Sequence, residues 1–176
     1  MAGLARRATT PVNASVLRAA ASIRLLVLDF DGVMTDNRVL VDQDGREAVW
    51  CSRGDGMGIG LLRGAGVEVM VVSKETNKVV SARCKKLHIE AVQGIDDKLT
   101  VLRHIAKDRG LKPKDIAYTG NDVNDLECMQ WVGLPIAVAD SEAAILPHAA
   151  WVTRRNGGYG AVRDVCDLLI AARAGK

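Results

Sequence analysis

The stretch Ile23-Arg24-Leu25-Leu26-Val27-Leu28-Asp29-Phe30-Asp31-Gly32 decides the fold. A short apolar run that ends abruptly in carboxylates and glycine is the pattern of a buried parallel strand at its carboxyl end. In open α/β sheets, ligands gather at such ends. Asp29 and Asp31 flank Phe30, so in an extended strand end they point the same way and can converge on one cation. Hard oxygen donors with few protein partners suit Mg²⁺, which keeps several waters and bridges to substrate phosphate. Taken alone, the pair also reads as a helix cap or a turn.

Working outward, the pattern recurs. Val67 to Val72 reads as a strand with Ser73 at its carboxyl end, followed by a helix from Asn77 to Leu87. A short strand Ile89 to Val92 leads through Gly94-Ile95-Asp96-Asp97-Lys98 into a helix from Leu99 to Asp108. Ile116 to Thr119 is the next strand and ends at Gly120-Asn121-Asp122-Val123-Asn124-Asp125, with a short helix Leu126 to Trp131 behind it. Leu134 to Val138 and Trp151 to Thr153 supply further strands, and Ala161 to Ala172 a closing helix. Strands alternating with helices at this spacing predict an α/β fold, a Rossmann-like doubly wound parallel sheet joined by right-handed crossovers. Two β-rich runs, Arg38 to Val41 and Glu47 to Trp50, enclose Asp42-Gln43-Asp44-Gly45 and predict a protruding β-hairpin. The glycine-rich Arg53 to Gly58 reads as a loop before a helix from Ile59 to Arg63.

Composition bounds the rest. At 176 residues and 48% hydrophobic, the chain suits one domain, expected over 23–176 after a solvated N-terminal segment 1–22. Arg6, Arg7, Arg18 and Arg24 precede the first acidic residue, a superficial likeness to an organelle transit peptide. The net charge is +3, and Lys and Arg are scattered rather than striped, which argues against a nucleic-acid partner. No apolar run approaches the roughly 20 residues of a membrane span. The four cysteines lie far apart, without the spacing of a zinc site or a disulfide framework. A cytoplasmic location is the expectation.

Asp29 and Asp31, Ser73, Lys98 and the Asn121 to Asp125 loop all fall at strand ends or on the helices that follow, where one site would form. Phosphoryl transfer needs an in-line nucleophile, a metal and donors for the equatorial oxygens, and this set supplies each part. Singly, Ser73 also reads as a helix cap, Lys98 as a solvated charge and the loop as a turn. A phospho-receiver domain orders an acceptor Asp, a Ser/Thr and a Lys in a comparable way. It carries its acidic pair on the first strand and its acceptor on an interior one, so Asp31 and the Gly120 loop speak against it.

Asp29-Phe30-Asp31-Gly32-Val33, Ser73, Lys98 and Gly120 to Asp125 together resemble the haloacid dehalogenase superfamily. More narrowly, Asp29 to Asp36, Gly94 to Lys98 and Gly157-Gly158-Tyr159-Gly160-Ala161-Val162-Arg163 look like the capless 3-deoxy-D-manno-octulosonate 8-phosphate phosphatases. The likeness extends to phosphatases of nonulosonate 9-phosphates and to the C-terminal domain of acylneuraminate cytidylyltransferases. It implies an α/β domain without a large cap, hydrolysing a phosphorylated sugar acid with Mg²⁺. Asp29 would be the nucleophile and Asp31 the acid/base, its backbone carbonyl on the metal. Ser73 would hold a phosphoryl oxygen and Lys98 would neutralise charge. Asn121 and Asp125 would complete the metal site, directly or through water. Arg53, Asp55, Lys74 and Tyr159 are candidate substrate contacts. The resemblance also implies a homotetramer, in which a neighbour's hairpin or glycine-rich tail closes the site.

The departures from that family pattern are specific. Asn121 stands where an Asp is usual, Lys74-Glu75 where the octulosonate phosphatases carry Gly-Arg, and Tyr159 where relatives often carry Arg. The first two lean toward a nonulosonate 9-phosphate as substrate. The first also raises the alternative of a catalytically weak tetramerisation module.

Overall fold

In a computed structural model, which describes residues 12–175, strand β1 (Leu25–Leu28) lies inside a six-stranded sheet with all four of its side chains buried. The other strands are β4 (Glu68–Val72), β5 (Glu90–Val92), β6 (Ile116–Gly120), β7 (Leu134–Ala137) and β8 (Trp151–Val152). All pairings are parallel, in the order β5-β4-β1-β6-β7-β8. The chain builds outward from β1 to one edge and then returns to build from β6 to the other. The order therefore reverses between β1 and β6, and a crevice opens at their carboxyl ends.

The pleat explains why β1 is uniformly apolar. Leu26 and Leu28 pack into a cluster on one face, while Leu25 and Val27 pack into a second cluster on the other. The first cluster is roofed by α2 (Arg53–Gly64), α3 (Val79–Leu87) and α6 (Ala161–Ala174), the second by α4 (Lys98–Asp108) and α5 (Leu126–Trp131). Burial on both faces is what a doubly wound sheet requires, and the expected fold class is the observed one. The hairpin forms a separate two-stranded sheet, shorter than the sequence suggests, in which β2 (Leu40–Val41) pairs with β3 (Glu47–Ala48). Its turn closes at Gly45, whose φ of 75° suits glycine, and Asp42 Oδ1 accepts from the amides of Asp44 and Arg46. Among the described residues, no helix is long and apolar enough to cross a membrane.

Two expectations are corrected. The segment 1–22 was expected to be solvated throughout; residues 1–11 lie outside those described, but α1 (Ala14–Ser22) is a helix. Asn13 Oδ1 caps it by accepting from the Val16 amide at 3.0 Å, and Val16, Ala20 and Ala21 are buried in a helix that packs on α6. The folded unit thus begins before residue 23. The second correction concerns Arg53 to Gly58, which is the first half of α2 and not a loop, capped by Ser52 Oγ. Its glycines permit close packing. A methyl on Gly58 would lie 3.2 Å from Arg163 Cα, and one on Gly56 would lie 2.9 Å from Leu87 Cδ2.

If α1 is part of the folded unit, Val16→Ala removes buried methyls and costs about 2 kcal/mol. That corresponds to a fall in Tm of roughly 4–8 °C for a chain of this size, measurable by calorimetry. An unchanged Tm would contradict the packing of α1.

Candidate active site

Asp29 follows β1 directly. Its amide donates to Thr119 O at 3.0 Å, which locks the end of β1 against the end of β6, and its side chain is 5% exposed. The chain then turns tightly, with the amides of Val33, Met34 and Thr35 all reaching Phe30 O. This turn leaves Asp31 half-buried, with Thr35 Oγ1 at 3.4 Å from its Oδ1. Ser73, at the end of β4, is held by its amide on Val92 O, and its Oγ accepts from the Glu75 amide. Lys98 is the first residue of α4, behind its N-cap Asp97.

These elements converge. Lys98 Nζ lies 2.9 Å from Asp29 Oδ1 and 2.8 Å from Asp125 Oδ1, with all three side chains buried. Asp125 Oδ1 also accepts from Tyr118 OH at 2.7 Å, and its Oδ2 accepts from the amides of Asn121 at 2.9 Å and Asp122 at 3.4 Å. The Asn121 side chain abuts Gly32, whose φ of 75° and missing Cβ leave it room.

Electrostatics follow from burial. Burial, with the Asp125 charge beside it, pushes Asp29 up to about 7 against the pull of Lys98. Burial alone would discharge Lys98, but the carboxylates of Asp29 and Asp125 outweigh it and hold the ammonium above its usual value. Asp31 is raised first by burial, then by the negative charge of Glu75, with a smaller push from Glu47 on the hairpin. Glu47 reaches this region because its Oε2 accepts from Asn77 Nδ2 at 2.9 Å, a bond that draws the hairpin over the loop after β4.

The donor set fits a divalent cation. Two buried carboxylates share one ammonium, so the trio carries a net negative charge that a cation would balance. Asn121 Oδ1 is buried with no hydrogen-bond partner among the described residues, as an oxygen that awaits a metal would be. Among the described residues, no group of three or more His, Cys, Asp or Glu could hold a metal ion. The candidate ligands are Asp29 and Asn121 Oδ1, with the Asp31 carbonyl as the family resemblance implies, a set poor in charge that leaves positions for water. Asp125 departs from the expectation of a ligand, because both of its oxygens are already engaged by protein donors that fix Lys98 and the Asn121 loop.

The candidate substrate contacts divide. Lys74 is exposed at the rim and paired with Asp96 at 2.9 Å. Tyr159 is exposed, with its hydroxyl 3.3 Å from Asp36 Oδ2, and borders a cavity of about 350 Å³ with Asp36, Arg38, Trp50 and Cys51. Arg53 borders a separate cleft between α2 and α3 with Met57, Leu61, Arg83 and Lys86, which none of the nucleophile-site residues lines. Asp55 is corrected outright. It is 1% exposed and its Oδ1 accepts from the Arg163 amide at 2.8 Å, so it caps the start of α6 and does not face a ligand. Burial pushes it up to about 6. Glu75 is half-buried and bonds locally, its Oε1 accepting from the amides of Thr76 and Asn77. Sequence reasoning missed Tyr118, Thr35 and the anchoring of the glycine tail. Tyr118 in an apolar strand reads only as core.

That tail braces the Asp29–Thr35 turn from behind. Asp164 is buried on α6 and accepts from the amides of Arg154 and Arg155 and from both of their guanidiniums. Burial opposes its charge, but the Arg155 guanidinium outweighs that and holds its carboxyl below the usual range. Gly157 and Gly158 then lie flat on the turn, and the Gly158 amide donates to Val33 O at 3.1 Å. A methyl on Gly157 would overlap Gly32 O and lie 3.0 Å from Thr35 O.

Comparison with known proteins agrees with this geometry. The family model described as haloacid dehalogenase-like hydrolase matches residues 70–165. The chain is similar to the 3-deoxy-D-manno-octulosonate 8-phosphate phosphatase KdsC of Escherichia coli (strain K12), 39% identical over 164 residues that cover 93% of this chain and 87% of the relative. It is similar in structure to the 3-deoxy-D-manno-octulosonate 8-phosphate phosphatase from Yersinia pestis, with a TM-score of 0.91, 37% identity, and coverage of 97% of this chain and 92% of that one. The enzyme of the same name from Moraxella catarrhalis, in complex with a magnesium ion, a phosphate ion and a KDO molecule, has a TM-score of 0.88 at 30% identity, covering 91% of this chain and 92% of that one.

Because backbone and not a flexible side chain meets Gly157, Gly157→Ala must displace the turn that carries Asp31 and Gly32. The variant is expected to lose about tenfold or more in kcat with its circular dichroism spectrum kept. Full activity would show that the tail does not brace the turn.

Proposed function

We propose that this chain, which belongs to the haloacid dehalogenase-like hydrolase family, is a Mg²⁺-dependent phosphatase that hydrolyses a phosphorylated 2-keto-3-deoxy sugar acid through a phospho-aspartate on Asp29. The observation that carries the reading is the buried Asp29–Lys98–Asp125 cluster beside the unpartnered Asn121 oxygen, at the crevice where the strand order reverses. Asp29 attacks phosphorus, and the bond from phosphorus to the sugar oxygen breaks. Asp31 protonates that oxygen as it leaves, then takes a proton from the water that hydrolyses the acyl phosphate and restores Asp29. Its raised carboxyl, caused by burial and by Glu75, suits a group that must begin protonated. Ser73 and Lys98 supply a hydrogen bond and a positive charge to the phosphoryl oxygens. Asp29, the Asp31 carbonyl and Asn121 would hold Mg²⁺, which would supply further positive charge for the phosphoryl group.

The substrate class follows from the relatives, named for 3-deoxy-D-manno-octulosonate 8-phosphate. Lys74-Glu75 and Asn121 distinguish this chain from that pattern and keep a nonulosonate 9-phosphate as the competing member of the class. Tyr159 and Lys74 are proposed substrate contacts, while Arg53 borders the separate cleft between α2 and α3. A homotetramer is proposed from the hairpin, where Val39, Leu40, Val41 and Trp50 are each more than half exposed, at 53%, 66%, 55% and 75%. One observation favours a second reading, that of an assembly module without turnover: the neutral Asn121 at the metal position.

Phosphate release from octulosonate 8-phosphate, N-acetylneuraminate 9-phosphate, its deaminated analogue and p-nitrophenyl phosphate, with Mg²⁺ and with EDTA, decides between the two. Turnover of one sugar acid far above the generic ester is expected, abolished by EDTA and lowered about a thousandfold or more by Asp29→Asn. No turnover of any ester would leave the assembly module. The pH profile adds an independent check. Activity on the sugar ester falls as pH rises through the titration of Asp31, and Glu75→Gln removes one cause of its elevation, so the descending limb should move to lower pH. A limb that stays in place would remove Asp31 from the role of acid.

A further inference from the structure

We propose that Tyr118 is a positioning residue for the phosphoryl site, acting through Asp125 to keep Lys98 available to Asp29. The inference rests on the phosphatase reading for its kinetic part, but its geometry stands alone. Tyr118 is fully buried in β6, between strand neighbours on the side of the sheet that α4 and α5 cover. Its ring packs as a phenylalanine would, so the hydroxyl adds nothing to the core, and without a partner it would be costly to bury there. The partner is Asp125 Oδ1 at 2.7 Å, the same oxygen that receives Lys98 Nζ at 2.8 Å. Lys98 Nζ lies 2.9 Å from Asp29 Oδ1 on its other side.

Lys98 is thus shared between two carboxylates, and the sharing depends on how much charge each presents. Asp125 spends its Oδ2 on the Asn121 and Asp122 amides and part of its Oδ1 on Tyr118. These donors draw charge away from the lysine, so Asp125 holds Lys98 in place without capturing it. Deletion of the hydroxyl leaves Oδ1 to Lys98 alone, and the ammonium shifts toward Asp125 and away from Asp29 and the phosphoryl oxygens it must neutralise.

The test is Tyr118→Phe in two backgrounds, the natural chain and Asp125→Asn, assayed well below the melting temperature. In the natural background kcat should fall by about tenfold, the scale of one charge-assisted hydrogen bond. The loss should be equal for the sugar-acid phosphate and for p-nitrophenyl phosphate, with KM little changed, because the effect lies at phosphorus. In the Asp125→Asn background the substitution should have little further effect. A readout independent of turnover is the NMR signal of the Lys98 ammonium and its adjoining methylene at fixed pH, which Tyr118→Phe should shift in the natural background and not in Asp125→Asn. A packing defect would instead lower kcat by the same factor in both backgrounds and overturn the proposal. Superimposable Lys98 signals for the natural chain and Tyr118→Phe would also overturn it, whether or not the natural chain releases phosphate.

Discussion

A lysine ammonium held between two buried carboxylates is the constraint on which the rest of this structure depends. Removing Asp29, Lys98 and Asp125 from water is expensive, and the charge left over after pairing is negative. Every nearby polar feature answers that cost. Backbone amides and a tyrosine hydroxyl converge on Asp125, the Phe30 amide reaches Asp29 Oδ1 at 2.7 Å, and Asn121, whose amide is held by Asp125, keeps a buried oxygen without a partner among the described residues. A cluster arranged in this way is stable in the company of a cation and reactive toward a dianionic ester. Burial that would be a liability in a purely structural core becomes the source of the electrostatic contrast that phosphoryl transfer uses.

The fold delivers these groups from separate parts of the chain to one place. Asp29 directly follows β1, Ser73 directly follows β4, and Lys98 begins α4, so each side chain is placed by the end of a regular element. The reversal of strand order between β1 and β6 opens the crevice, and the Asp29 amide bonded to Thr119 O closes its floor. Two capping carboxylates do quieter work behind it. Asp55 ties α2 to the start of α6, and Asp164 gathers the arginines of the tail, so that the glycines of that tail can lie against the turn after β1. The helices carrying these caps are thereby joined to the geometry of the turn after Asp29.

How much of this the sequence disclosed depends on the kind of signal each residue leaves. Asp29, Asp31, Ser73 and Asn121 were legible because each sits just past a recognisable apolar run, and Lys98 because it opens the helix after one, where the parallel-sheet topology dictates a shared rim. The helix α1 was not, since its buried face consists of Val16 and alanines, too small to produce a strong periodicity, and its cap Asn13 is a residue equally at home in a loop. Asp55 was misread because glycines at 54, 56 and 58 suggested a loop, whereas Gly56 and Gly58 allow close contact with α3 and α6. The role of Asp125 was read as ligand because spacing shows which residues approach one another but not which of their oxygens are already taken. Tyr118 left no trace at all: an aromatic in a central strand is indistinguishable from core until its hydroxyl is seen to face a carboxylate.

The central claim is that phosphate passes through Asp29, and the most direct test is to find it there. Asp31→Asn removes the base that hydrolyses the acyl phosphate, while p-nitrophenolate leaves without an acid, so mixing this variant with Mg²⁺ and p-nitrophenyl phosphate, quenching in acid and mapping peptides by mass should place a phosphoryl group on Asp29. Phosphate on another residue, or continued release of phosphate by the variant with no labelled peptide, would contradict the account.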